Sequence, residues 1–144
     1  MFVRIVGLLL VALAIGCGND GRPPLVPVSG VVTLDNEPIA GAAVMFMPLA
    51  GGRPAQGVTD AAGKFRLTTF EDNDGALVGN HQVTITKVEV TGMTATADGL
   101  SGVVDPSQIK ETWIIPQKYS QPDASGLSAT VAKGMEDVSF ALTK

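Results

Sequence analysis

Chemistry-bearing side chains are scarce in this chain: one cysteine, one histidine, one tryptophan and one tyrosine in 144 residues. With Cys17 as the single thiol, no disulfide can close within the chain, and cohesion must come from core packing. One histidine, His81, is too few for a histidine-rich zinc centre, whose ligands are clustered His, Cys and acidic side chains. His81 has no Gly-x-Ser-x-Gly elbow to serve as general base. Bases are outnumbered by acids, ten against fourteen. An acidic chain lacks the positive footprint of a nucleic-acid binder or of a protein that clings to anionic lipid. An apolar run of roughly 20 residues, the length that spans a bilayer, is also missing. The longest candidate, Ile5 to Ile15, is cut short by Asn19, Asp20 and Arg22.

That short run has the layout of an export signal. Arg4 precedes it, Ala14-Ile15-Gly16 follows it, and residues 1–16 read as a helical signal peptide. Cys17 comes next. The segment resembles the bacterial lipobox, in which the thiol receives a diacylglycerol and the signal peptidase cuts before the cysteine. Gly16 and Cys17 carry the match, Ile15 fits, and Ala14 stands where leucine is usual. The resemblance implies a mature chain of 128 residues, Cys17 to Lys144, anchored to a membrane through acyl chains on Cys17. One acyl chain binds a membrane only marginally, whereas two or more anchor it stably. Gly18 occupies the place where inner-membrane retention asks for Asp, so the resemblance implies the outer membrane. The alternative is an ordinary secretory signal followed by a free thiol. Loss of Arg4 leaves nine basic and fourteen acidic side chains, a net charge of −5.

Beyond Cys17 the pattern runs in twos. Residues 17–27, rich in Gly, Asn, Asp and Pro, read as an extended, mobile tether. Val26, Val28, Val32 and Leu34 alternate as on a half-buried strand. Asp35-Asn36-Glu37-Pro38 is turn chemistry, and Val44 to Pro48 is a second strand. Phe65 and Leu67 point one way from Lys64 to Thr68, after the turn Asp60-Ala61-Ala62-Gly63. Gln82 to Thr86 alternates again. Leu127 to Val131 and Val138 to Leu142, joined around Gly134, read as a C-terminal hairpin. Residues 91–110 are small and polar and read as a flexible surface loop. Six or seven short strands with turns between them predict an all-β sandwich.

Three segments carry a further resemblance. Val28 to Ala42, with its strand, polar turn, Pro38 and Gly41-Ala42, resembles the opening of carboxypeptidase-regulatory-like domains. Thr59-Asp60-Ala61-Ala62-Gly63-Lys64-Phe65 resembles their Thr-Asp-x-x-Gly-x-Phe hallmark, in which Asp60, Gly63 and Phe65 are the structural residues. Gly79-Asn80-His81-Gln82-Val83 resembles Gly-x-Tyr-x-Val, with His81 in the aromatic place. The resemblance implies a transthyretin-like (prealbumin-type) Greek-key β-sandwich of about seven strands over residues 28–144, a non-catalytic module of exported proteins. The purine-degrading hydrolases of that fold need several basic residues and a tyrosine-containing C-terminus, and Phe140 to Lys144 does not match.

Three places remain as candidates for chemistry. His81 is in phase with Val83 and Ile85, which predicts a half-buried ring bonded to a turn at a strand start. The cluster Asp72-Asn73-Asp74-Gly75 has the oxygen ligands that calcium takes but not the EF-hand register, and reads as a solvated turn. Trp113, with Ile114 and Ile115, is expected to close the end of the sandwich. The alternative makes Trp113 and Tyr119 a binding surface for glycan. The expected function is a membrane-anchored, non-catalytic structural or protein-interaction domain of the cell envelope, without metal, cofactor or nucleic acid. A glycan- or calcium-binding module is the alternative.

Overall fold

The computed structural model describes residues 21–92 and 106–144. The predicted signal peptide, Cys17 and the middle of the predicted loop, residues 93–105, lie outside the described residues. Among the described residues twelve short strands succeed one another: β1 (Leu25–Val26), β2 (Ser29–Leu34), β3 (Glu37–Pro38), β4 (Ala43–Pro48), β5 (Ala55–Val58), β6 (Lys64–Arg66), β7 (Ala76–Leu77), β8 (Gly79–Thr86), β9 (Val88–Thr91), β10 (Lys110–Trp113), β11 (Leu127–Val131) and β12 (Val138–Leu142). Helix among the described residues amounts to one α-turn, Pro122–Ser125, and two 3-10 turns, Pro106–Gln108 and Gln117–Ser120. Among the described residues no helix is long and apolar enough to cross a membrane.

Alternation decides the layers. In β2, Gly30, Val32 and Leu34 are buried while Ser29, Val31 and Thr33 are half-exposed, and in β4 Val44 and Phe46 are buried between exposed Ala43 and Met45. Each strand therefore has one apolar face, and two sheets bring those faces together. One sheet has the order β11–β8–β4–β5, and in the other β2 is flanked by β12 on one side and by β3 and β6 on the other. Between them Phe46 meets Phe65 at 6.4 Å and Phe140 at 6.0 Å, and Phe65 stacks on Phe140 at 6.4 Å. The all-β, sandwich-like expectation is met, with more and shorter strands than expected.

Three expectations need correction. The tether is not free up to Pro27, because Leu25 pairs with Leu77 and Val26 with Ala76. The last two strands do not form a hairpin: β11 pairs antiparallel with β8, while β12 crosses to the other sheet and runs parallel to β2. Both strands need a buried face, and Val131 and Phe140 find theirs in different sheets of the same core. The third concerns the loop at 91–110. Its two ends pair, Thr91 with Lys110, so the excursion starts from a two-stranded ribbon.

The parallel contact of β12 on β2 requires Gly30. A Cβ there would overlap the Val138 carbonyl oxygen and stand 2.8 Å from the Phe65 ring. Gly30→Ala is expected to lower stability by about 1–3 kcal/mol, the usual cost of forcing extra atoms into a packed core. A urea unfolding curve measures it, and an unchanged midpoint would show that β12 packs more loosely.

Candidate functional site

The hallmark residues build turns and core. The Asp60 carboxylate accepts from the backbone amides of Ala62 and Lys64, both at 2.9 Å, and Gly63 completes the turn at φ +72°. The Gly63 amide donates to the Asp60 carbonyl at 2.9 Å. This turn delivers Phe65 to the ring cluster. Just before it, the buried Thr59 hydroxyl donates to the Ile39 carbonyl at 2.6 Å and accepts from the Ala42 amide at 2.8 Å. Asp60 Oδ1 and the Thr59 hydroxyl are thus committed to backbone.

The acidic cluster is organised around one of its members. Asp74 accepts from the amides of Thr69 at 2.6 Å, Phe70 at 2.9 Å and Glu71 at 2.8 Å. Burial raises its pKa, but the donated backbone bonds outweigh burial and hold the carboxyl below its ordinary range. Both carboxylate oxygens face these amides, as in a capped turn and unlike a preformed cation cage. Among the described residues no three His, Cys, Asp or Glu side chains gather at metal-binding distance.

His81 is buried more deeply than its strand-start position suggests, with 1% exposure. Its Nδ1 bonds the Gly79 carbonyl at 3.0 Å, which is the predicted turn contact. Its ring tilts against Phe46 at 5.8 Å, and among the described residues Nε2 has no partner. Burial pushes its pKa down, partly opposed by the Gly79 bond, so the ring sits in the core neutral, with Nδ1 as donor.

The two remaining aromatics part company. Tyr119 is 8% exposed in the core cluster, and its hydroxyl accepts from the Thr143 amide at 3.2 Å. It is no binding surface. Trp113 is 39% exposed, so the expected closure of the sandwich by Trp113 is wrong. The Lys87 carbonyl accepts from two successive amides, Ile114 at 2.9 Å and Ile115 at 3.3 Å, which makes a β-bulge. The bulge shifts the alternation by one residue. Ile115 enters the core, and Trp113 turns outward.

Trp113 therefore belongs to the β9–β10 ribbon, exposed along both strands. Register places Trp113 opposite Val88 and Glu111 opposite Val90. Directly opposed residues share a face, so Val88, Val90 and Trp113 lie together, with Ile109 in phase just before β10. These four side chains are between 36% and 46% exposed. The sequence did carry a signal for this ribbon: apolar positions 83 and 85 change phase to 88 and 90. Thr84 and Thr86, in phase with Val88, line an open groove of about 1040 Å³ with Met45, Val58, Gln56 and the cations Lys64 and Arg66.

No family model and no curated protein match the chain. Among solved structures the chain is similar to a 9R-lipoxygenase from Cyanothece PCC8801, with a TM-score of 0.33 and 11% identity. The match covers 83% of this chain and 16% of that protein, and at this level it bears on neither fold nor activity.

Two outcomes follow from these placements. Trp113→Ala is expected to change stability by less than about 1 kcal/mol, whereas Ile115→Ala, a fully buried site, costs about 2–5 kcal/mol. Thermal melts of both variants test the bulge, and reversed sensitivities would refute it. His81 sets the acid response. Its folded pKa is depressed, so below the ordinary value of 6.5 the unfolded chain binds a proton that the fold does not. Stability then falls as pH drops from about 7 through that range. Asp74 adds a separate loss at lower pH, as its depressed pKa is crossed. In His81→Leu the upper step should vanish and the lower one remain. A persisting upper step in pH-dependent melts would clear His81 of the role.

Proposed function

We propose that this chain is a lipid-anchored, non-catalytic interaction module of the bacterial envelope, held at the outer membrane through Cys17 and presenting a β-ribbon to a partner. The finer architecture in this reading is the transthyretin-like Greek-key sandwich that the three hallmark segments suggest. One observation carries the interaction role: Val88, Val90, Ile109 and Trp113 stand in solvent on one face of a ribbon that leaves the sandwich. A contiguous apolar patch in water is a liability unless something covers it. By contrast, Asp60, Asp74, Thr59 and His81 are engaged with nearby backbone, which supports a scaffold role for them.

Anchoring rests on the lipobox resemblance, and a substitution tests it. Cys17→Ala is expected to move the protein from the membrane fraction to the soluble one, with loss of incorporated palmitate in metabolic labelling. Equal membrane retention of parent and variant would reject the anchor.

A further inference from the structure

We propose that the outer edge of β10 takes up an extended segment of a partner protein that reads apolar, any residue, Lys or Arg, any residue, apolar. The inference deepens the interaction reading and rests on it. The β9–β10 ribbon is a two-stranded sheet, and among the described residues no third strand pairs with it. An unpaired strand edge offers backbone donors and acceptors to an added strand, and the pockets beside it select alternate side chains. Along β10 the side chains on the apolar face are Ile109, Glu111 and Trp113 in turn. Glu111 makes no ion pair among the described residues, and nearby Lys87 lies 4.0 Å from Glu89 instead. A strand laid along this edge sets one apolar residue beside Ile109, a cation beside Glu111 and a second apolar residue beside Trp113. Opposite charges in neighbouring strands attract and like charges repel.

Two features choose this occupant over others. The four apolar side chains expose a few hundred Å² together, short of the roughly 800 Å² per partner that a stable dimer buries. A second copy is therefore a poor fit, and a single strand a good one. The described chain begins at the other pole: Leu25 pairs with Leu77 just before β8, and Pro23 and Pro24 lie by Gly79 and Asn80, whereas the ribbon leaves from the far end of β8. Eight residues of strand separate the poles, about 26 Å at the usual rise. The described N-terminal segment therefore lies at the pole away from the ribbon.

The test uses the full-length chain in phosphatidylcholine vesicles, with Trp113, the single tryptophan, as the reporter. The probe is a capped threonine heptapeptide with Val at its second and sixth positions and Lys at its fourth. Its twin carries Glu at the fourth. Trp113 emission is expected to shift to the blue with the Lys peptide, at about threefold or more lower concentration than with the Glu peptide. Glu111→Lys should reverse the preference and Glu111→Gln abolish it, both with an unchanged melt, since Glu111 is exposed. No shift, or equal shifts in parent and variants, overturns the proposal. A blue shift that grows with protein concentration alone assigns the face to a second copy. Quenching of Trp113 by spin-labelled lipid assigns it to the bilayer. The Cys17→Ala fractionation is read without peptide, so a failed anchor and a failed strand site are told apart.

Discussion

Phe46 is where the two sheets meet, and most of the fold serves that contact. It is fully buried on β4, with Phe65 at 6.4 Å and Phe140 at 6.0 Å from the opposing sheet and His81 at 5.8 Å beside it. Without a disulfide, burial of such side chains is what holds the sheets together, at about 1.5–3 kcal/mol for each large one. Each ring reaches the cluster through a distinct device. The Asp60 turn brings in Phe65, the crossing of β12 to the second sheet brings in Phe140, and the bare backbone at Gly30 lets β12 and the Phe65 ring approach β2.

The residues with chemical character are mostly tied to backbone by this arrangement. Asp74 satisfies three amides that a tight loop would otherwise leave unpaired, Thr59 joins two loops, and Ser125 donates to the Val83 carbonyl at 2.7 Å beside the α-turn. A buried donor or acceptor left unmade costs more than a made bond contributes, so such side chains are fixed in place by the fold. His81 is tied in this way through Nδ1 alone, and among the described residues its Nε2 has no hydrogen-bond partner. Among the core residues Tyr119 is the other titratable group. Among the described residues no buried charge would compensate a proton on His81.

The bulge at Lys87 divides the molecule into a closed body and an open ribbon. On one side of it Ile115 seals the core, and on the other Trp113, Val88 and Val90 stay in water. A single extra residue against Lys87 is enough, because side chains alternate with period two and a one-residue offset exchanges faces.

Local pattern determined the strands of the body: alternation marked Val32 and Leu34 of β2 and Val83 and Ile85 of β8 as buried, and Asp60 and Gly63 marked a turn whose bonds are made within four residues. Such features depend on near neighbours in the chain and are legible from it. The parallel pairing of β12 with β2, the full burial of His81, the removal of Tyr119 from the surface and the outward turn of Trp113 were decided by tertiary structure. Each depends on contacts between residues far apart in sequence, and in the case of Trp113 on a distant carbonyl that accepts from two adjacent amides at once. Alternation says that one face is buried; only the partner strand, by its register and its bulges, says which.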